Sequence, residues 1–307
     1  MGYRDRPRRV HGTVLTLSVI GAGRVGRTLC RLLHRNGLFA IGDVLNRTAE
    51  SAEAAASFIG AGRPTEDWSR LGHADLYMLS VPDDAIEVCV GRLRSTGVVR
   101  RGSIVFHVSG SKPSSVLAPL ADDGARIASL HPVKSFADPG RAAETFAGTA
   151  CALEGDAEAC AVLGPAIERC GGRVFRIDSK QKLVYHAATV FASNYAVALI
   201  DVALRCFERA DVDRERAFSI ALPLIRGTVE NVARLGTVDA LTGPIARGDA
   251  ALVDEQLRAL EAWDPRVAAL YAELGLYALE LSRRQGSADG AALERIAARL
   301  RDAAGKP

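Results

Sequence analysis

The chain has 307 residues, of which 48% are hydrophobic and 24% are charged. This composition is that of a globular protein and excludes a disordered or fibrous chain. The length fits two domains, since single domains usually have roughly 100–200 residues. A net charge of +3 gives little support for nucleic-acid binding, which usually requires a strongly basic surface, so we expect no nucleic-acid partner.

The six cysteines follow no metal-binding or disulfide pattern, because none form a C-x-x-C pair and no histidines are interleaved at ligand spacing. We therefore expect buried thiols in a reducing cytoplasm, and no metal site. The cysteines are Cys30, Cys89, Cys151, Cys160, Cys170 and Cys206.

The N-terminus is basic and is followed by a short apolar run over residues 14–20, an arrangement that imitates a secretory signal. The run is short, however, and continues directly into a glycine-rich turn, so we interpret residues 1–12 as a basic tail. Elsewhere we find no apolar stretch that approaches the roughly 18 residues needed to cross a bilayer. The sequence therefore predicts a cytoplasmic protein without a membrane partner.

The first half of the chain alternates β-branched runs with helical stretches, beginning with a strand and an amphipathic helix that has Val25, Leu29, Leu32 and Leu33 at helical spacing. Parallel strands need covering crossovers, so this alternation predicts an α/β fold with a Rossmann-type, doubly wound, mainly parallel sheet. The predicted strands are Thr13–Ile20, Ile41–Asn46, Leu76–Val81, Ser103–Val108, Arg126–Leu130, Thr149–Leu153 and Gly172–Arg176.

After about Ser179 the pattern becomes helical, with one long apolar-periodic stretch over Lys180–Ala210. Further helices are predicted over residues 214–235, 250–263, 265–284 and 288–303, with Asp249 capping the second of these and Gly286 closing the third. We therefore predict a dinucleotide-binding Rossmann domain over residues 13–176. An all-helical domain over residues 180–304 is predicted to serve substrate binding and dimerisation.

The first predicted strand leads directly into the motif Gly21-Ala-Gly23-Arg24-Val25-Gly26, which opens a helix. In this context each glycine has a mechanical role: Gly21 in the tight turn, Gly23 in close approach to a pyrophosphate, and Gly26 in helix packing. The helix N-terminus favours an anion. We predict that this loop binds a dinucleotide; the alternative is a glycine-rich turn that serves packing alone.

The second strand ends in Asn46-Arg47-Thr48, where an acidic residue would select NAD(H) by binding the ribose. A guanidinium beside hydroxyl groups instead suits a 2′-phosphate, so we expect NADP(H) rather than NAD(H). Asp43 is the competing acidic candidate, but it lies inside the strand. The alternative for Arg47 is a solvated loop charge.

Ligands of parallel sheets bind beyond the carboxyl ends of the strands, so the residues that end later strands are candidates too. His131 ends the fifth strand, where it either binds substrate and polarises a carbonyl or simply bonds to the backbone. The predicted cofactor contacts at the other strand ends are Ser80, Val81, Pro82, Asp83, Ser109 and Gly110.

The long helix carries Lys182, His186, Thr189 and Ser193 at spacings of four, three and four, which places them on one face, with Asn194 near its edge. A polar stripe on an otherwise apolar helix is costly unless it lines a wet pocket or is fully paired. We predict a substrate pocket that includes Ser193 and Asn194; the alternative is a polar seam.

A loop later in the helical half, over residues 241–249, offers further substrate-binding groups. Thr242 and Arg247 are candidates to anchor an acidic substrate, because arginine suits bidentate recognition of a carboxylate. Asp249 is expected to cap the next helix instead.

The glycine loop, the Asn46-Arg47-Thr48 strand end, Ser80-Val81-Pro82-Asp83 and the helical second half resemble the 6-phosphogluconate dehydrogenase-like reductase superfamily. More narrowly, the segments at 107–112, 129–133, 185–194 and 241–249 resemble Rossmann-like oxidoreductases with the helical domain of unknown function 2520. Some members of that family act as alternative ketopantoate reductases, which makes this activity an expectation. The resemblance also implies a homodimer formed through the helical domain.

In the β-hydroxyacid dehydrogenases of this superfamily, a lysine and an asparagine four residues later handle the substrate carbonyl. Lys182 and His186 occupy those places here, and the resemblance therefore implies that they are catalytic. His186 replaces the asparagine and is a candidate proton donor.

These inferences converge on NADPH-dependent reduction of a small keto or imino acid at a cleft between the domains. His186 or Lys182 would protonate the product, and Arg247 would hold a carboxylate. One alternative is a sensor that binds NADP(H) without turnover, since a fold alone does not establish catalysis. Another is an NAD-linked dehydrogenase that runs towards oxidation.

Overall fold

The computed structural model describes residues 14–305, so the predicted basic tail over residues 1–12 lies outside the described residues. The chain divides into two compact units, the first of which runs through Asn194 while the second begins at Tyr195. The boundary thus lies further along the chain than the predicted change near residues 175–180.

The first unit is built on one eight-stranded sheet, in the order β3-β2-β1-β4-β5-β6-β7-β8. All neighbours are parallel except β6 and β7. This arrangement confirms the predicted Rossmann-type fold. The strand order extends to one side of β1 and then, from β4 onwards, to the other side, and dinucleotides bind at this switch point in such folds. The strands are β1 (Thr16–Ile20), β2 (Ala40–Leu45), β3 (Arg63–Thr65), β4 (Leu76–Leu79), β5 (Ile104–His107), β6 (Arg126–Pro132), β7 (Ala150–Gly155) and β8 (Arg173–Arg176).

Strand β3 was not predicted, because it has three residues and contains Pro64, which cannot donate a ladder hydrogen bond. The proline is tolerated since β3 pairs only with β2 and forms an edge of the sheet.

Both faces of the sheet are covered by helices, as expected for parallel strands. The helices of the first unit are α1 (Arg24–Arg35), α2 (Ala49–Ile59), α3 (Ile86–Ser95), α4 (Ala118–Asp122), α5 (Pro139–Glu144), α6 (Ala157–Arg169) and α7 (Lys182–Val190). Alternate strand residues enter different cores: Leu76 and Met78 pack on one face of β4, while Tyr77 and Leu79 pack on the other. Because both faces are buried, β4 is a continuous apolar run in the sequence.

The second unit is helical throughout its described residues. Its helices are α8 (Ala196–Arg209), α9 (Arg214–Ala240), α10 (Pro244–Arg247), α11 (Ala250–Trp263), α12 (Pro265–Gln285) and α13 (Gly290–Ala304). Asp249 caps α11 by accepting a hydrogen bond from the Leu252 N–H, as predicted. Helix α12 ends at Gly286, which adopts φ +73°. The chain bends within α9 at Gly236, whose φ of +79° is not helical.

One helical segment contradicts the expectation about apolar stretches. Residues Ser179–Arg209 include an 18-residue window with a mean hydropathy of 1.6, of which 6% is buried, so this segment is long and apolar enough to span a membrane. The expectation was wrong because the charged residues within this stretch are too few to bring its average hydropathy below that of a membrane-spanning helix. Length and composition do not distinguish a membrane span from an apolar surface that binds another protein.

Candidate functional site

The glycine loop after β1 is packed against the end of β4. Gly21 adopts φ +81°, and a Cβ atom added there would lie 2.8 Å from the Ser80 carbonyl oxygen. A Cβ atom on Gly26 would lie 2.9 Å from the Ser80 side chain. These two glycines therefore permit close packing of the loop and α1 on the sheet.

Gly23 has a different environment from its neighbours. It precedes α1 as the N-cap residue, it is exposed, and an added Cβ atom there would meet no atom of the described residues within 4 Å. Packing within the protein therefore does not require a glycine at this position. The open space at the N-terminus of α1 is the place where a pyrophosphate approaches the backbone in Rossmann folds.

The end of β2 is organised by Asn46. Its side-chain oxygen accepts a hydrogen bond of 2.7 Å from the Ala22 N–H, and its amide donates one of 2.8 Å to the Ser51 carbonyl. Asn46 therefore connects the glycine loop to the start of α2. Thr48 caps α2 by accepting from the Ser51 N–H, while Arg47 is exposed.

Two acidic side chains lie near this strand end. Asp43 is buried, accepts a hydrogen bond of 2.7 Å from the Gly72 N–H, and pairs with Arg63 at 2.7 Å. It is therefore occupied by protein groups and is not free to bind a ribose. Glu66 accepts a hydrogen bond of 2.8 Å from the Ala49 N–H. Its carboxylate therefore lies at the N-terminus of α2, and this helix begins two residues after Arg47.

A cleft of about 440 Å³ lies within the first unit. It brings together most of the residues predicted from separate strand ends, while Gly21, Gly26 and the Asn46-Arg47-Thr48 strand end are not part of its lining. The lining residues are Gly23, Arg24, Val25, Ser80, Val81, Pro82, Asp83, Val108, Ser109, Gly110, His131, Pro132, Lys134 and Phe136.

His131 is the histidine that lines this cleft. Its Nδ1 atom lies 2.8 Å from the hydroxyl oxygen of Tyr185 on α7. Burial, followed by the charges of Lys182 and His186, lowers the pKa of His131 to about 4. The ring is therefore neutral at physiological pH, and it can donate or accept a hydrogen bond without carrying charge.

His186 packs against Gly110, in the loop that follows β5, but does not line the cleft. Its ring centroid is 6.0 Å from that of His131, with an interplanar angle of 55°. A Cβ atom added to Gly110 would collide with the His186 ring and would lie 2.8 Å from the Nε2 and Cε1 atoms of His131. Gly110 therefore allows both imidazole rings to approach the backbone of this loop.

Lys182, predicted to be catalytic, does not line the cleft but contacts Ser109, which does. It is 1% exposed, and its Nζ atom donates to the Ser109 carbonyl at 3.0 Å and to the Ser129 hydroxyl. Glu154 lies 3.7 Å from the ammonium. Burial lowers the pKa of Lys182 to about 8, while the Glu154 carboxylate opposes this change. In this structure the ammonium contacts protein groups and anchors the Ser109 loop.

The rest of the predicted polar stripe does not form one pocket lining. The Thr189 hydroxyl donates to the His186 carbonyl at 2.7 Å, so it bonds to its own helix. Ser193 and Asn194 are exposed and lie in a π-helical turn, Phe191–Tyr195, that follows α7. The π-helical turn interrupts the regular helical spacing before Ser193, so the predicted single face does not continue from Lys182 to Ser193.

Thr242 and Arg247 belong to the second unit. Both are exposed there, Thr242 just before and Arg247 at the end of the short helix α10. Gly243, between them, adopts φ +97°.

Several residues of the site were not assigned from the sequence. His107 is fully buried, accepts the Ser109 N–H at Nδ1, and donates from Nε2 to the Pro113 carbonyl at 3.2 Å. Glu154 accepts hydrogen bonds of 2.7 and 2.6 Å from the Ser114 N–H and hydroxyl. His107 stands in a motif that was recognised, but no local pattern indicates that Glu154 or Tyr185 would meet these loops.

Two domain models match the chain. A Rossmann-like domain matches residues 1–132, and a domain of unknown function, DUF2520, matches residues 149–278. A comparison with curated protein sequences found no match.

Solved structures resemble the chain over most of its length. The putative NADP oxidoreductase BF3122 from Bacteroides fragilis is 27% identical, with a TM-score of 0.72, and the match covers 87% of this chain and 98% of that one. Protein TM1727 from Thermotoga maritima is 26% identical, with a TM-score of 0.69 and coverage of 88% and 99%. Pyrroline carboxylate reductase from Plasmodium falciparum, with NADP bound, is 12% identical, with a TM-score of 0.56 and coverage of 93% and 98%; this likeness concerns the fold.

His107 makes stability depend on pH. Burial, the largest cause, lowers its pKa from 6.5 to about 4. Below pH 6.5 the unfolded chain therefore binds a proton at His107 that the folded chain does not bind until about pH 4. The free energy of unfolding should fall across this window, by up to about 1.4 kcal/mol per pH unit for each such histidine.

Urea unfolding at pH 7 and pH 5 measures this effect. His107→Gln should lose less stability than the parent protein between the two pH values, whereas His34→Gln, which removes an exposed histidine, is the control. An NMR titration in which His107 of the parent protein protonates near pH 6.5 would contradict the prediction.

Proposed function

Because the chain combines a Rossmann-like domain with a DUF2520 domain, we propose that it is an NADP(H)-dependent oxidoreductase that reduces a small keto or imino acid. The observation that carries the proposal is the cleft of the first unit, where the open N-terminus of α1, two strand-end loops and a neutral histidine meet. The similar Bacteroides fragilis protein is likewise named as an NADP oxidoreductase, which supports the choice of chemistry.

The residues around the glycine loop fit a dinucleotide. Gly23 and the exposed Arg24 lie at the N-terminus of α1, where backbone N–H groups and a guanidinium would hold the pyrophosphate. Ser80 to Asp83 and Ser109 to Gly110 would border the rest of the cofactor along the cleft. When bound, the reduced nicotinamide supplies a hydride.

The preference between the two cofactors depends on the end of β2. Arg47 is exposed there and would pair with a 2′-phosphate, beside the hydroxyl of Thr48. Glu66, which lies at the N-terminus of α2, would instead repel a phosphate and favours the alternative cofactor, NAD(H). We infer NADP(H), because Asp43 is buried and paired and the exposed cation follows the strand directly.

Fluorescence titration with NADPH and NADH tests this assignment. We expect NADPH to bind more tightly, and Gly23→Ala to weaken binding without lowering the melting temperature, because the new methyl group would meet only the ligand. Gly91→Ala in α3, where an added Cβ also meets nothing within 4 Å, is the matched control. Equal affinities for the two cofactors would contradict the preference, and unchanged binding by Gly23→Ala would contradict the site.

His131 is the residue that we assign to the reacting group. It lines the cleft as a neutral ring, and a neutral imidazole N–H stabilises the negative charge that develops on a carbonyl oxygen during reduction. His186 packs beside it and would shape the pocket. Lys182 would act indirectly, because its ammonium holds the Ser109 carbonyl.

An acidic substrate would be held by a cation. Arg247, with Thr242 nearby in the chain, remains our proposed carboxylate anchor, since both are exposed and arginine binds carboxylates in a bidentate manner. Consumption of NADPH, measured with ketopantoate first, then with other keto acids and cyclic imino acids, would identify the substrate class. Tight binding of NADPH without turnover of any of these would favour a sensor.

Substitution of His131 tests the proposed chemistry. His131→Gln should lower kcat about 100-fold or more, which is the usual cost of losing one donor to a developing oxyanion. His186→Gln should cost less, since His186 does not line the cleft. The measurement is steady-state NADPH oxidation with the best substrate of the screen. A larger loss for His186→Gln than for His131→Gln would return the catalytic role to His186.

We also propose that the chain is a cytoplasmic homodimer and that the apolar helical segment over residues 179–209 is covered by a second copy rather than by lipid. Leu183, Val184 and Val197 of this segment are 72%, 71% and 67% exposed. In the second unit, Leu224 and Val229 of α9 are 68% and 63% exposed. A monomer rarely exposes so many large apolar side chains to water.

Analytical ultracentrifugation tests the dimer. The parent protein should sediment as a dimer, and Val197→Glu should shift it towards monomer, because a buried carboxylate without a partner is costly. Val88→Glu, at a valine of α3 that is 59% exposed, is the control and should remain dimeric. A monomeric parent protein that binds to lipid vesicles would favour a membrane partner instead.

A further inference from the structure

The two nitrogen atoms of His131 have different surroundings. Nδ1 lies 2.8 Å from the Tyr185 hydroxyl oxygen, and this is the ring's only hydrogen bond within residues 14–305. The edge that carries Nε2 and Cε1 faces Gly110, which lines the cleft. Since Nδ1 is bonded to Tyr185 and Nε2 has no hydrogen bond within the described residues, Nε2 is the nitrogen left for a bound molecule.

The chemistry of the His131 ring and the Tyr185 hydroxyl decides which of the two donates the hydrogen bond between them. A phenol O–H is a good hydrogen-bond donor and an unprotonated imidazole nitrogen is a good acceptor, whereas a phenol oxygen accepts only weakly from an imidazole N–H. Burial raises the pKa of Tyr185 to about 12, so the hydroxyl keeps its proton over the physiological range. Both groups are neutral, and the stronger arrangement runs from the Tyr185 O–H to the Nδ1 atom.

The tyrosine ring is held in place by aromatic contacts on two sides. It meets His131 edge to face, with centroids 5.7 Å apart at 87°, and it meets Phe175 of β8 at 6.1 Å and 64°. Tyr185 precedes His186, which packs against Gly110. Helix α7 therefore delivers two adjacent side chains to neighbouring strands, Tyr185 to His131 in β6 and His186 to the loop that follows β5.

We propose that Tyr185 is a positioning residue: by donating to Nδ1 it holds His131 in the tautomer whose Nε2 carries the proton, so that the cleft presents an N–H donor. This inference rests on the proposed function and deepens it, because an N–H donor recognises a group with a free lone pair. Such a donor suits the carbonyl oxygen of a ketone or the nitrogen of an imine, on which negative charge develops as hydride is transferred. A lone pair at Nε2 would instead suit a base that removes a proton from an alcohol.

NMR of the ¹⁵N-histidine-labelled full chain tests the tautomer directly, with the His131 signals assigned by their loss in His131→Gln. We expect Nε2 to be protonated and Nδ1 to show the shift of an unprotonated, hydrogen-bonded nitrogen. In Tyr185→Phe the hydrogen-bond shift should disappear. A proton on Nδ1 of the parent protein, or an unchanged Nδ1 shift in the variant, would overturn the proposal.

Kinetics provide the second test. Tyr185→Phe should lower kcat about tenfold, the scale of one hydrogen bond, while KM and the NADPH dissociation constant stay unchanged. In the His131→Gln background the same substitution should have no further effect, because its role passes through His131. Equal losses in both backgrounds would show a merely structural role and overturn the proposal.

Tyr271→Phe is the matched control, since Tyr271 donates a hydrogen bond of 2.7 Å to Gln256 within the second unit. It should leave kcat unchanged. The two proposals fail separately: a protein that does not bind NADPH defeats the proposed function, whereas the nitrogen shifts still decide whether Tyr185 sets the tautomer.

Discussion

The buried ammonium of Lys182 is the interaction on which the candidate site depends. An unpaired buried charge would cost several kcal/mol, and here the cost is offset by a carbonyl, a hydroxyl and a nearby carboxylate. These partners follow or belong to three strands, since Ser109 follows β5, Ser129 lies in β6 and Glu154 lies in β7. Lys182 of α7 therefore connects the helix to three strands. These contacts fix the position of the next turn of the helix relative to the sheet. Tyr185 and His186, three and four residues later, reach His131 and Gly110 because the helix is held in that position.

Glycine performs two different tasks at this edge of the sheet. At Gly21, Gly26 and Gly110 the missing side chain makes room for other parts of the protein, so a methyl group would collide with Ser80 or with the imidazole rings. At Gly23 no atom of residues 14–305 lies within 4 Å of an added Cβ, so the missing side chain leaves open space there. Packing thus explains the glycine at two positions of the motif, and at the third we propose that the open space serves a ligand. This contrast, at the N-terminus of a helix that follows a parallel strand, supports the proposed dinucleotide site.

Much of the fold follows from local pattern, because strands buried on both faces are continuous apolar runs and the covering helices have helical periodicity. The glycine motif was interpretable since a strand, a turn and a helix followed in order. Lys182 was correctly predicted to lie on a helix, but its contacts could not be predicted from local pattern. Its partners come from residues 53 and 73 positions away in the chain. Tyr185 and Glu154 were missed for the same reason, as each acquires its role only from long-range contacts. Strand β3 was missed because a three-residue edge strand gives too short a pattern.

Lys182 affects both the pKa of His131 and the position of the Ser109 loop. After burial, the charge of Lys182 is the next largest cause of the low pKa of His131, so the ammonium that fixes the loop also keeps the cleft histidine neutral. A neutral imidazole has one protonated and one bare nitrogen, and nothing in its charge decides which nitrogen faces a ligand. An oriented neighbour is therefore needed, and the Tyr185 hydroxyl at Nδ1 is that neighbour. Because Lys182 and Tyr185 lie on one turn of α7, a single helical element contributes to the low pKa of His131 and, in our proposal, sets the direction of its hydrogen bond.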